Sequence, residues 1–322
     1  MRSFKKIICL GMVVAIIVGI NTILNLAFQP YNNFRNDMHN LDTHKFDTVF
    51  VGTSHGKAGI NPDIIDGITG YKSINMCLGG QSIDDSYYIV KEACRVNKPK
   101  RIIYELDPSY WVTEISLSPE YMELYNELPM SYVKVECYFD KIWNQDFRAT
   151  LFPWYVNRKG LDGAVDRLKN RLFNKRYKSY ATDFYDCDVQ SYEKNGQTRI
   201  HRIAPFIEDS QPTIWNEGSI NKKVLNSFYR LVKLCKNEKI DLKVIITPIP
   251  RETLDRYKES YLDSDKYFSK LMLKYNVDYF NYNYTDITGF DHNLTGFQDY
   301  EGHMYEDQSD IFSRKLANDI SR

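Results

Sequence analysis

Asp47-Thr48-Val49-Phe50-Val51-Gly52-Thr53-Ser54-His55 is the stretch on which the reading of this chain turns. A short apolar run stops at Gly52 and gives way to polar residues, the pattern of a buried strand ending abruptly. A serine on the loop after the first strand of an α/β domain is held by the backbone instead of swinging on a flexible tip. That is where a nucleophile is best aimed.

Outward from this strand, elements alternate. Tyr71–Leu78 is expected as a second strand, Asp84–Val96 as a helix, and Arg101–Leu106 as a third strand stopped by Asp107-Pro108. After a gap the alternation resumes, with a helix over Asn221–Asn237, a strand over Leu242–Pro248 and a helix over Leu262–Tyr275. A short strand over Val277–Phe280 and a terminal helix over Glu306–Ile320 complete it. Such alternation predicts an α/β fold with a mostly parallel sheet covered on both faces. Sites in such sheets form at the carboxyl ends of strands, where Ser54, Gly80 and Asp107 all fall. Between residues 110 and 219 the alternation is lost. That stretch is aromatic-rich, carries six cations in Arg167–Lys178, and reads as one large insertion.

The N-terminus is of another kind. Basic Met1–Lys6 precedes an apolar stretch, Ile7–Phe28, long enough for a bilayer, which needs about 20 residues. The basic flank predicts a cytoplasmic N-terminus and an extracytoplasmic remainder, hence a single-pass cell-membrane protein. A cleaved signal peptide is the competing reading, disfavoured because no small-x-small site precedes Gln29-Pro30. Residues 1–28 are thus the anchor, 29–46 a polar linker, and 47–322 the folded domain. The 42 basic and 42 acidic residues cancel, which gives no whole-chain attraction to nucleic acid. The six cysteines, at 9, 77, 94, 137, 187 and 235, show no zinc spacing, so no metal and no cofactor are expected.

Three places carry chemistry. Ser54 is the candidate nucleophile. Gly79-Gly80 opens a helix, and the amide of Gly80 together with that of Ser54 is suited to an oxyanion hole. His303, near Asp299 and Glu301, is the candidate base, with Asp299 orienting it and Glu301 in reserve. His55 is a weaker base, because neighbours along an extended backbone point apart. His292 follows Asp291 with no supporting pattern, and His39, His44 and His201 read as structural or solvated. Gly52–Lys57 fails as a phosphate-binding loop, since only three residues separate its glycines and Ala58 replaces the required hydroxyl.

On these residues the chain resembles the SGNH/GDSL hydrolase superfamily. The likeness is to its membrane-anchored branch, which includes the D-alanyl transfer protein of teichoic acid operons and alginate O-acetylation proteins. Gly52-Thr53-Ser54-His55 resembles the nucleophile block. Asn75–Ser82 resembles the second block and places its oxyanion glycine at Gly80. Asp299…His303 with Phe312-Ser313 resembles the closing block. The resemblance covers 47–108 and 242–322 and implies a three-layer, flavodoxin-like sheet. Two departures stand out. No Asn occupies the third block at Glu105-Leu106-Asp107-Pro108-Ser109, where Ser109 is the reserve donor, and Asp299 lies one residue further from His303 than usual.

The expected function is a membrane-anchored extracytoplasmic serine esterase or acyltransferase using Ser54, His303 and Asp299 on acyl esters of a cell-envelope polysaccharide or teichoic acid. The resemblance implies a membrane-bound O-acyltransferase as partner. The alternative is a catalytically inactive scaffold of the same fold that binds a glycopolymer or such a partner. A third class, a module for membrane surface or polyanion, rests on the Arg167–Lys178 run. Trp111, Trp143, Trp154 and Trp215 offer sugar-stacking faces but read mainly as core.

Overall fold

The computed structural model describes residues 2–114 and 116–321. The chain divides into two compact units. One joins Met1–Asn32 to Leu117–Phe184, and the other joins Asn33–Ser116 to Tyr185–Arg322.

The larger unit holds strands β1 (Thr48–Val51), β2 (Ser73–Asn75), β3 (Arg101–Glu105), β4 (Gln190–Tyr192), β5 (Thr198–Ile200), β6 (Asp241–Ile246) and β7 (Asp278–Asn281). Five of them form one sheet in the order β2-β1-β3-β6-β7, with every neighbouring pair parallel. The order changes direction between β1 and β3, so the crevice at their carboxyl ends is the natural place for a ligand. All four residues of β1 are buried, as expected of a parallel strand covered on both faces. Phe50 lies opposite Ile103 in register, and both pack with Ile245, Phe312 and Leu316 in one core. Burying each such side chain contributes roughly 1.5–3 kcal/mol. Tyr104 accepts a hydrogen bond from the indole of Trp111, itself packed on Phe228 and Phe268.

Helices α1 (Arg2–Phe28), α2 (Phe34–Thr43), α3 (Ser54–Gly59), α4 (Pro62–Thr69) and α5 (Ile83–Asn97) have local causes. The α4 helix starts with Asn61 capping and Pro62 in its first turn, and ends at Gly70 with φ +72°. Ser82 caps α5, and Asp84 and Asp85 favour its positive end.

Three sequence expectations shift. The linker over 29–46 contains α2, which buries Phe34, Met38 and Leu41. Their i, i+4, i+7 stripe is hidden in a polar composition. The second strand is shorter than 71–78, yet Met76 N–H still donates to Phe50 O at 2.8 Å and Leu78 N–H to Gly52 O at 3.0 Å. The backbone therefore follows β1 past the ladder's end and delivers Gly79-Gly80 to Ser54. Lastly, residues 110–219 are not one piece. Leu117–Phe184 belongs with the N-terminus, whereas the β4–β5 hairpin belongs with the sheet.

In the smaller unit, Phe4–Phe28 is long and apolar enough to cross a membrane, and none of its most apolar window is buried. Short helices follow at Pro119–Glu127, Tyr132–Cys137, Phe147–Leu151 and Ala164–Phe173, with a π-helical turn at Tyr138–Ile142. The last carbonyls of a helix lack intrahelical partners and carry the negative end of its dipole. Two arginines supply partners here. Arg167 Nε donates to Ala27 O at 2.9 Å, and Arg171 donates to Leu26 O and, at 2.9 Å, to Pro30 O.

Candidate active site

The turn after β1 is shaped by close approach. A Cβ on Gly52 would lie 2.6 Å from Glu105, and one on Gly56 would lie 2.6 Å from Cys77 Sγ. Only hydrogen fits at either place, so β1, α3 and β3 come together around the serine. Thr53 caps α3, accepting from His55 N–H at 3.3 Å. Its own N–H and hydroxyl donate to Glu105 Oε2 at 2.7 and 2.9 Å. Glu105 is fully buried, and that burial raises its pKa against the opposing pull of His55 and Thr53. A charged residue closing an apolar strand was the signal for it, and sequence reasoning passed over it. Lys57 makes a buried ion pair with Asp37 at 2.5 Å, and Tyr192 donates to the same carboxylate. This commits the lysine of the failed phosphate-loop pattern to holding α2 and β4 against α3.

Ser54 is the first residue of α3, so its amide sits in the first turn, where no intrahelical acceptor exists. Its Oγ lies 2.8 Å from His303 Nε2, and His303 Nδ1 lies 2.6 Å from Asp299 Oδ2. The carboxylate fixes the tautomer: Nδ1–H donates to Asp299, leaving Nε2 to accept from the serine. Asp299 Oδ1 also accepts from Gly302 N–H at 2.9 Å and His303 N–H at 3.1 Å. Gly302 takes φ +117°, and a Cβ there would strike Ile249 at 2.7 Å. The four-residue spacing from acid to base works because this glycine folds the turn back onto the carboxylate.

Burial alone pulls His303 down, but the Asp299 hydrogen bond and the charges of Asp299, Glu301 and Asp107 outweigh it. The net pKa is above the ordinary 6.5. Burial pushes Asp299 up, yet His303 and the two backbone donors hold it below 3.8.

The reserve residues have different fates. His55 is not on extended backbone, since α3 begins at Ser54. Its buried ring lies edge-on to His303 at 4.8 Å, with Nδ1 3.5 Å from Asp107 Oδ2. Glu301 and Ser109 line the same cavity as Ser54. A Cβ on Gly79 would come 3.6 Å from Ser54 Cβ, so the glycine turn does reach the serine. Gly80 takes φ +70°, and its backbone faces the Tyr110 hydroxyl closely enough to oppose the rise that burial gives that hydroxyl's pKa. Tyr110, Tyr261 and Asn283 are lining residues that no motif signalled. The cavity holds about 160 Å³ and carries three carboxylates, those of Glu105, Asp107 and Glu301.

Although the sequence shows no ligand spacing, His55, Glu301 and His303 bring one donor atom each within 4.8 Å of one another. Both ring nitrogens of His303 are already committed to Asp299 and Ser54, so an ion there would break the relay. His292, the third histidine option, lies edge-on to Phe290 at 4.8 Å and its carbonyl accepts from Arg251 N–H. No protein-family model matches this chain and no curated protein matches it, so the reading of the site rests on its geometry.

Proposed function

We propose that the chain is a membrane-anchored extracytoplasmic serine esterase or O-acyltransferase acting on acyl esters of a cell-envelope polysaccharide or teichoic acid. The observation that carries this reading is the unbroken relay Ser54–His303–Asp299, at 2.8 and 2.6 Å, beside a cavity at the carboxyl ends of β1 and β3. In support of the SGNH-like assignment, the five parallel strands run 2-1-3-4-5 when counted alone, the flavodoxin-like order. In support of the anchor, Phe4–Phe28 has the length and composition of a membrane span.

The steps follow from the donors and acceptors. Ser54 Oγ attacks the acyl carbonyl as His303 Nε2 takes its proton, and the carbonyl π pair moves to oxygen. The Ser54 amide receives that oxyanion, and the Gly80 N–H is the second donor. Collapse expels the alkoxide, which takes the proton from His303. A polymer hydroxyl, or water, then attacks the acyl-enzyme, passes its proton to His303 and releases Ser54. A cavity of about 160 Å³ with three carboxylates takes a short acyl group that is neutral or cationic and repels an anionic one.

The test is labelling of the full-length protein, in detergent, with a fluorophosphonate probe. Wild type is expected to label, Ser54→Ala not at all, and His303→Ala far more slowly. Folded wild type that does not label, or label that survives Ser54→Ala, overturns the reading. The first of these results points to the inactive scaffold.

A further inference from the structure

The smaller unit shows apolar side chains to its surroundings at a density the sheet unit does not approach. Among the described residues, eleven large apolar side chains between Met130 and Phe173 are exposed, against ten in the sheet unit. Five of them, Val135, Phe139, Trp143, Phe147 and Leu151, recur every fourth residue. They run through Tyr132–Cys137, the π turn Tyr138–Ile142 and Phe147–Leu151. Within each helical piece residues four apart share a face, and the turn at 143–146 carries the row on to Phe147, each of the five being at least 48% exposed. The same segment already buries Val133, Cys137, Ile142 and Ala149. The exposed stripe is therefore a second apolar face, which a helix lying in water does not carry. It is continuous at its centre, where the rings of Tyr138, Phe139 and Trp143 lie 5.2 to 6.1 Å apart.

We propose that this face lies in the interfacial layer of the bilayer, on the side where α1 ends, so that Leu117–Phe184 is a membrane-resting collar around the anchor. The proposal rests on reading α1 as a membrane span. Three observations select lipid as the occupant.

The first is continuity. Asn21 Nδ2 donates to Leu151 O at 3.3 Å, and Asn25 Oδ1 accepts from Trp154 N–H at 2.7 Å. The stripe thus joins α1 among its exposed residues Ile17, Val18, Ile20 and Ile23. The second is depth. Asn21 lies seven residues before the end of α1, about 10 Å along the axis. Amphipathic segments rest about 5–10 Å into the headgroup boundary. The third is charge. Residues 147–178 carry nine basic side chains and two acidic ones. Arg148 and Arg176 pair with Asp146 and Asp183 at its edges, and Arg167 and Arg171 hold the end of α1. Arg158, Lys159, Lys169, Lys175 and Lys178 remain as a basic set suited to lipid phosphates. Exposed Trp143 has the amphipathic ring that favours this layer.

The test uses the full-length protein in liposomes of phosphatidylglycerol and phosphatidylethanolamine. A benzoylphenylalanine photo-crosslinker replaces, one at a time, Phe139, Trp143, Phe147, Val14 within α1, and Leu273, an exposed leucine of the sheet unit. After illumination, lipid adducts are read by mass spectrometry. The expected result is adducts at 139, 143 and 147 comparable to those at 14, with none at 273. Adducts at 14 but none at the three stripe positions overturn the collar and leave the anchor standing. No adducts at 14 overturn the anchor itself. The same variants illuminated in native membranes are expected to give lipid adducts again. Capture of another protein at the stripe in place of lipid overturns the assignment of lipid and makes the face a protein contact.

Discussion

Trp111 and Trp143 meet opposite surroundings. In the sheet unit, Trp111 is fully buried, donates to the Tyr104 hydroxyl at 3.3 Å, and packs on Phe228 and Phe268. In the other unit, Trp143 is 57% exposed beside Phe139, which is exposed to the same extent. Both units are rich in aromatics, so composition does not separate them. What differs is where each apolar face is finished. The sheet unit closes its apolar surface on itself and leaves a polar relay at one crevice. Over 132–151 the smaller unit buries Val133, Cys137, Ile142 and Ala149 and leaves Val135, Phe139, Trp143, Phe147 and Leu151 open. The proposed chemistry uses the first arrangement, and the proposed attachment to a surface uses the second.

The comparison breaks most visibly at the relay. His303→Ala is expected to lower kcat/KM on an activated acetyl ester by roughly 10⁴- to 10⁶-fold, and Asp299→Asn by about 10⁴-fold, with the fold retained by circular dichroism. A loss smaller than tenfold in either would show that the sheet unit's crevice is not run by this relay. Trp143→Ala, by contrast, should leave the rate on a soluble ester unchanged.

Stability sharpens the same contrast. Trp111→Ala removes a packed indole from the core and should cost about 3–5 kcal/mol in denaturant unfolding of the detergent-solubilised protein. Trp143→Ala, at an exposed position, should stay within about 0.5 kcal/mol. Equal costs would mean that the exposed stripe is packed after all. Between these lies Glu105→Ala, which strands the Thr53 N–H and hydroxyl away from water and should cost about 1–3 kcal/mol. Glu105→Gln keeps an acceptor there and should lose less. The reverse order would show that Glu105 does not hold the nucleophile's turn.

Which parts were legible in the sequence follows from how locally each is determined. The strand before Ser54, the helix over Glu306–Ile320 and the parallel alternation were readable because apolar periodicity and terminators are neighbours in sequence. The pairing of Ser54 with Asp299 and His303 was readable as a set of residue types in order, though its distances were not. The α2 helix was missed because its three buried apolar residues sit among Asn, His and Asp. The direction of His55 was misjudged because a helix starts one residue before it, at Ser54. The approach of Tyr110 to the Gly79-Gly80 turn joins two distant loops, and no local pattern carries it. The second apolar face over 135–151 was hidden for a related reason. Periodicity shows that a stripe exists, but only packing shows which of two stripes the protein covers.

The smallest expected effect is in pH, and it sets the two roles of His303 against each other. As a base His303 must be neutral, and its pKa lies above 6.5, so the acid limb of kcat/KM is expected above pH 6.5. As a partner of Asp299 it contributes to folding when charged. A group raised on folding gives its full contribution below the unfolded value, near 6.5, and loses it as pH rises through the folded value. Asp299, lowered on folding, contributes above its unfolded value near 3.8 and loses that contribution as pH falls through the lower folded value. The pair is therefore expected to support the fold most fully between about pH 3.8 and 6.5 and to act as the proposed catalyst above that window. Melting curves of wild type and His303→Gln should differ most inside the window and converge at alkaline pH, while the ester rate rises across its upper edge. An acid limb below 6.5, or a stability difference that grows with rising pH, would show that Asp299 does not hold the imidazolium, and the relay would lose its orienting member.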